Sequence, residues 1–150
     1  MLEIGNPAPD FTLETEQGPL TLSNLKENKV VVYFYPKDMT PGCTQEACDF
    51  RDHYSQFQDK NTIIIGISKD NLKSHSKFKE KERLNFILAS DPDGKVCEAY
   101  GVWVEKSMYG RKYFGIERAT FLVDEKGIIQ NIWRNVKVKG HVGEVLKSVK

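Results

Sequence analysis

The chain has 150 residues, 39% of them hydrophobic and 29% charged, and a formal charge of +1. It is long enough to bury a core, and residues 1–150 are expected to form one domain. Near-neutral charge argues against long-range attraction to nucleic acid or a membrane surface, and the chain has no run of about 18 apolar residues to span a bilayer.

The opening "MLEIGNPAPDF" lacks a basic stretch followed by an apolar one, so no signal peptide is read and a cytoplasmic location is expected. Thr12–Leu13 and Leu20–Leu22 flank "ETEQGP" and predict a short hairpin. "VVVYFY" (Val30–Tyr35) is β-branched and aromatic on both faces, which predicts a buried central strand ending at Pro36. A helix is expected from about Pro41 to Phe57, then a second buried strand, "TIIIGIS" (Thr62–Ser68). Asn71–Leu84 predicts a helix with a polar outer face, Phe86–Ser90 a strand, "DPDG" a turn, and Lys95–Val102 a short helix. Val102 to Ile116 reads as a long loop, with Trp103 and Tyr109 either lining a pocket mouth or packing. Arg118–Asp124 and Ile128–Arg134 predict a hairpin across "EKG", and His141–Val149 a last short helix. The order β-α-β-α-β-β-α predicts an α/β protein of thioredoxin-like fold: a central mixed sheet flanked by helices, with an N-terminal β-hairpin.

Chemistry concentrates in "YPKDMTPGCTQEAC" (Tyr35–Cys48), which carries two of the three cysteines. An odd, low cysteine count argues against a secreted disulfide framework. Thr40 suits an N-cap and Pro41 the first helical position, so Cys43 falls in the first turn. Unpaired backbone N–H groups and the positive end of the helix dipole there favour thiolate over thiol. Gly42 lets something approach the backbone closely. Cys43, Ala47, Phe50, Tyr54 and Phe57 form one apolar stripe toward the sheet, while Cys48 falls on the wetter side. Five residues of helix give ~7.5 Å of rise and a rotation of roughly 140°. A disulfide tolerates Cα separations only up to about 7 Å, so Cys43 and Cys48 can pair only if the first turns unwind. Cys43, Cys48 and His53 fan around the helix and cannot ligate one metal ion.

"PKDMTPGC" matches the P-x-x-x-[TS]-x-x-C signature of peroxiredoxins. The chain resembles their bacterioferritin comigratory protein / peroxiredoxin Q group through "GNPAPDFTL", "ASDPDGKV", "AYGVW", "GIERATFLVDEKG" and "GHVGEVLKSV". The resemblance implies reduction of hydrogen peroxide and organic (alkyl) hydroperoxides on a peroxidatic cysteine, Cys43. It also implies a pocket completed by Pro36, Thr40 and Arg118, and Glu46 orienting the arginine or a proton. Cys48 matches the resolving cysteine of an atypical two-cysteine enzyme, whose disulfide is reduced by thioredoxin or a similar dithiol protein. The group uses no metal or organic cofactor, and a monomer is expected. Two rivals stand beside this reading. A thioredoxin-like oxidoreductase would want C-x-x-C, which the chain lacks. A redox sensor or holdase would use the same cysteine switch. Cys97 either packs against the sheet or serves as a second resolving partner.

Overall fold

A computed structural model describes residues 1–150. The central strand β3 (Lys29–Phe34) is buried on both faces, because its alternate residues serve two different cores. It pairs in parallel with β4 (Thr62–Ser68) and antiparallel with β8 (Ala119–Val123). With β1 (Thr12–Thr15), β2 (Gly18–Thr21), β5 (Ile87–Ser90) and β9 (Ile129–Trp133), the sheet has seven strands in the order β2-β1-β5-β4-β3-β8-β9. This is the mixed thioredoxin-like sheet, with the N-terminal hairpin joined to the β5 edge.

Val30, Val32 and Phe34 point into one core, with Phe11, Cys97, Tyr100 and Phe121. Val31, Tyr33 and Tyr35 point into the other. There they meet α1 (Pro41–Asp52), α2 (Tyr54–Asp59), α3 (Leu72–Glu82) and α5 (His141–Ser148) through Phe50, Phe57, Phe78 and Val145. Phe50 stacks on Tyr33 with ring centroids 4.6 Å apart. Burying one such ring contributes roughly 1.5–3 kcal/mol. Gly66 on β4 makes room for that aromatic layer: a Cβ there would stand 2.9 Å from Tyr33 Cζ. The short helix α4 (Lys95–Ala99) covers the opposite face. No helix is long and apolar enough to cross a membrane.

The structure corrects two expectations about these elements. The helix expected from Pro41 to Phe57 breaks at His53, whose backbone leaves the helical region (φ −103°, ψ 4°). The His53 ring bonds the Asp49 carbonyl at 2.8 Å, beside the backbone N–H of His53, which reaches the same carbonyl at 3.2 Å. The expected loop between Val102 and Ile116 is a two-stranded antiparallel hairpin, β6 (Trp103–Met108) and β7 (Arg111–Ile116). Tyr109 and Gly110 both have positive φ, the signature of a tight type I′ turn. Tyr109 is 97% exposed at the tip, whereas Trp103 is half-buried and stacks on Phe114.

Candidate active site

Strand β3 ends in the loop Tyr35–Thr40, which turns at Met39 (φ 65°) and feeds α1. Thr40 is extended (φ −84°, ψ 155°), and its carbonyl accepts the Thr44 N–H at 2.8 Å, so the backbone is a true N-cap. Its side chain departs from that role. The hydroxyl donates to the Lys37 carbonyl at 2.8 Å, closing the loop rather than capping the helix. Pro41 occupies the first helical position as expected. Pro36 is exposed at the start of the loop.

Cys43 lies in the first turn and is 2% exposed. The first-turn N–H groups of Gly42 and Cys43 have no acceptor within the helix. Arg118 reaches this point from the residue before β8. Its Nη2 donates to Cys43 Sγ at 3.3 Å and its Nη1 to Glu46 Oε1 at 2.7 Å. Gly42 is what lets it in, since a Cβ there would be 3.2 Å from Arg118 Nη2. The close approach read at Gly42 is therefore the guanidinium itself.

Glu46 is 0% exposed, one turn beyond Cys43 on the buried face. Burial pushes its carboxyl up to about 7, against the downward pull of Arg118. Its Oε2 and the buried Tyr33 hydroxyl find no hydrogen-bond partner. The sulfur therefore faces a fixed cation and helix N–H groups, and that cation is oriented by a carboxyl near its own titration point. Such a site can hold negative charge on sulfur and then follow it onto a departing oxygen.

Residues 4–132 match the AhpC/TSA family. A putative peroxiredoxin bcp of Coxiella burnetii is 56% identical over 97% of both chains. Peroxiredoxin Bcp of Bacillus subtilis is 50% identical over 99% of this chain and 96% of the relative. Among solved structures, a bacterioferritin comigratory protein of Xanthomonas campestris superposes with TM-score 0.90 at 41% identity, over 99% of this chain and 96% of that one. That structure concerns alkyl peroxide reduction and trapped intermediate and ligand complexes. The chain belongs to the AhpC/TSA family, in its bacterioferritin comigratory protein / peroxiredoxin Q group.

In this peroxiredoxin all three cysteines are free thiols. Cys43 and Cys48 lie on the same unbroken α1, so the helical geometry that separates them holds in this state. Cys48 is half-buried, and its thiol donates to Glu82 Oε1 at 3.6 Å, where α1 meets the end of α3. Burial raises its pKa, with Arg51 opposing and Glu82 adding to the rise. Cys97 is fully buried in the other core, across the sheet from Cys43. Burial and the neighbouring Asp91 push its pKa far up.

Sequence reading missed two parts of the site. Lys106 of β6 is half-buried; burial and Arg118 lower its pKa, while Cys43 and Glu117 pull it up. The unrecognised hairpin is what brings it near. The second part is Asp38, inside the motif, whose buried carboxylate bonds His75 of α3. One ligand atom from each of Asp38, Asp70 and His75 falls within 4.8 Å of the others. Those atoms are engaged by one another and by neighbouring protein groups in a hydrogen-bond network.

Proposed function

We propose that this peroxiredoxin, acting as a single domain, is a thiol peroxidase for hydrogen peroxide and alkyl hydroperoxides, with Cys43 as the peroxidatic residue. The observation that carries the reading is the Arg118 guanidinium, which bonds both Cys43 Sγ and the buried Glu46. The Cys43 thiolate attacks the nearer peroxide oxygen, the O–O bond breaks, and the leaving alkoxide or hydroxide takes a proton. Cys43 becomes a sulfenic acid. Arg118 and the first-turn N–H groups stabilise charge as it moves from sulfur to oxygen. Thr40 relays the peroxide proton once its hydroxyl rotates away from the Lys37 carbonyl, and Pro36 screens the thiolate from water. Glu46 fixes the arginine.

The Cys48 thiol then attacks the sulfenic sulfur, releasing water and forming the Cys43–Cys48 disulfide after the first turns of α1 unwind. Thioredoxin or a similar dithiol protein returns both thiols, and the enzyme works in the cytoplasm as a monomer without cofactor. The alkyl peroxide chemistry of the Xanthomonas campestris relative supports the substrate class. The test is peroxide consumption with a dithiol reductant. Wild type is expected to turn over hydrogen peroxide and tert-butyl hydroperoxide, and Cys43→Ser to be inactive. Turnover that survives Cys43→Ser contradicts the assignment.

A further inference from the structure

The loop carrying Pro36 and Thr40 is not self-supporting. Met39 holds a left-handed backbone (φ 65°), a conformation a side-chain-bearing residue keeps only when its surroundings impose it. The constraint sits one residue earlier. Asp38 is 4% exposed, and three polar side chains converge on its carboxyl group. Tyr35 Oη donates to Oδ1 at 2.6 Å, Ser74 Oγ donates to Oδ2 at 2.8 Å, and His75 Nδ1 lies 2.7 Å from Oδ2. The Asp38 N–H is also taken, by Asp70 Oδ2 at 2.8 Å. A buried carboxylate is tolerated only with such a set of partners.

His75 ties this cluster to the sheet. It is 0% exposed, on the inner face of α3, and its Nε2 lies 3.1 Å from the Ala89 carbonyl of β5. The ring is held at both nitrogens, by Asp38 on one side and the Ala89 carbonyl on the other. One imidazole thus spans from a strand of the central sheet to the loop that leads into α1 and Cys43.

We propose that His75, acting through Asp38, is a positioning residue for the peroxide reaction: it holds the Tyr35–Thr40 loop in the strained form that presents Thr40 and the start of α1. This rests on the peroxidase reading for its kinetic consequence only. A small misplacement of reacting groups costs a large rate factor, so loosening the loop is expected to slow Cys43 oxidation about tenfold or more.

The test compares His75→Leu with His75→Asn, whose amide can still donate to Asp38 from near the Nδ1 position. The rate of Cys43 oxidation by hydrogen peroxide and amide hydrogen exchange at residues 37–40 are measured on reduced, folded protein. His75→Leu is expected to lose about tenfold in rate and to exchange faster across the loop, while His75→Asn returns to within about threefold of wild type. A folded His75→Leu protein with wild-type rate and exchange overturns the proposal. So does a stable His75→Asn protein as slow as the leucine variant. If His75→Leu does not fold, Tyr35→Phe decides, because it removes only the hydroxyl on Asp38 Oδ1. A wild-type rate and exchange there overturn the proposal, and a slower rate with faster exchange supports it. Wild-type protein inert to peroxide would contradict the peroxidase reading instead, and the exchange comparison still decides this one.

Discussion

Glu46→Gln separates two opposing forces on one buried carboxyl. Burial favours its neutral form, and Arg118 at 2.7 Å favours the charged one. Burial wins, placing its folded-state pKa near 7 against an ordinary value of 4.5. Between those values the native state keeps a proton that the unfolded chain has released, so stability falls as pH rises. Below 4.5 both states are protonated and above about 7 both are ionised, so the effect is flat at either end. The interval converts to roughly 3 kcal/mol. Glutamine has no such proton, so the stability of Glu46→Gln relative to wild type is expected to rise by roughly 3 kcal/mol between pH 4.5 and 7.5. Urea unfolding of both proteins, fully reduced, at intervals across that range reads the difference and cancels the titration of other groups. A pH-independent difference would mean that Arg118 fully offsets the cost of burying the charge. A difference that falls with pH would mean that Arg118 dominates.

Three further outcomes follow from the geometry. Arg118→Leu is expected to slow Cys43 oxidation by about 10²–10³-fold in stopped-flow measurements, because it removes the only charged donor bonded to the sulfur; an unchanged rate would displace Arg118 from the mechanism. Glu82→Gln is expected to release Cys48 more readily, raising the rate of disulfide formation about threefold or more and lowering sulfinic acid yield by mass spectrometry. A slower disulfide step would show that Glu82 assists resolution instead of restraining it. Gly66→Ala is expected to cost about 1–3 kcal/mol in denaturant unfolding, since its Cβ would press on Tyr33 Cζ at 2.9 Å and Leu88 Cδ2 at 3.0 Å. A stability equal to wild type would mean that the aromatic layer yields freely.

The parts of the fold that were legible are those where one local pattern decides the outcome. Val30–Tyr35 and Thr62–Ser68 are apolar on both faces, and a strand so composed belongs in the middle of a sheet. Thr40-Pro41 announced the start of α1, and the apolar spacing from Cys43 to Phe57 marked the side that faces the sheet. What was not legible depends on competition between groups. The break at His53 comes with its ring on the Asp49 carbonyl, and the Thr40 hydroxyl donates to the Lys37 carbonyl while bonding no helix N–H. The sequence does not mark the β6–β7 hairpin because its apolar residues cluster (Trp103-Val104, Tyr113-Phe114) instead of alternating with polar ones; Tyr109-Gly110 is its one local signal. Glu46 stood out only by resemblance, since a carboxylate on a buried stripe contradicts the hydrophobic pattern until Arg118 is brought beside it. Asp38 and His75 are 37 positions apart, and nothing local predicts that they meet.

The central claim is tested most directly by adding one equivalent of hydrogen peroxide to the fully reduced protein for a few seconds, quenching by alkylation, and mapping the cysteines by mass spectrometry. The predicted result is a Cys43–Cys48 disulfide with Cys97 alkylated, because Cys97 is buried in the other core with the sheet between it and Cys43. Three alkylated thiols would contradict the account by showing that Cys43 is not activated. A disulfide that includes Cys97 would keep the nucleophile and overturn the assignment of Cys48.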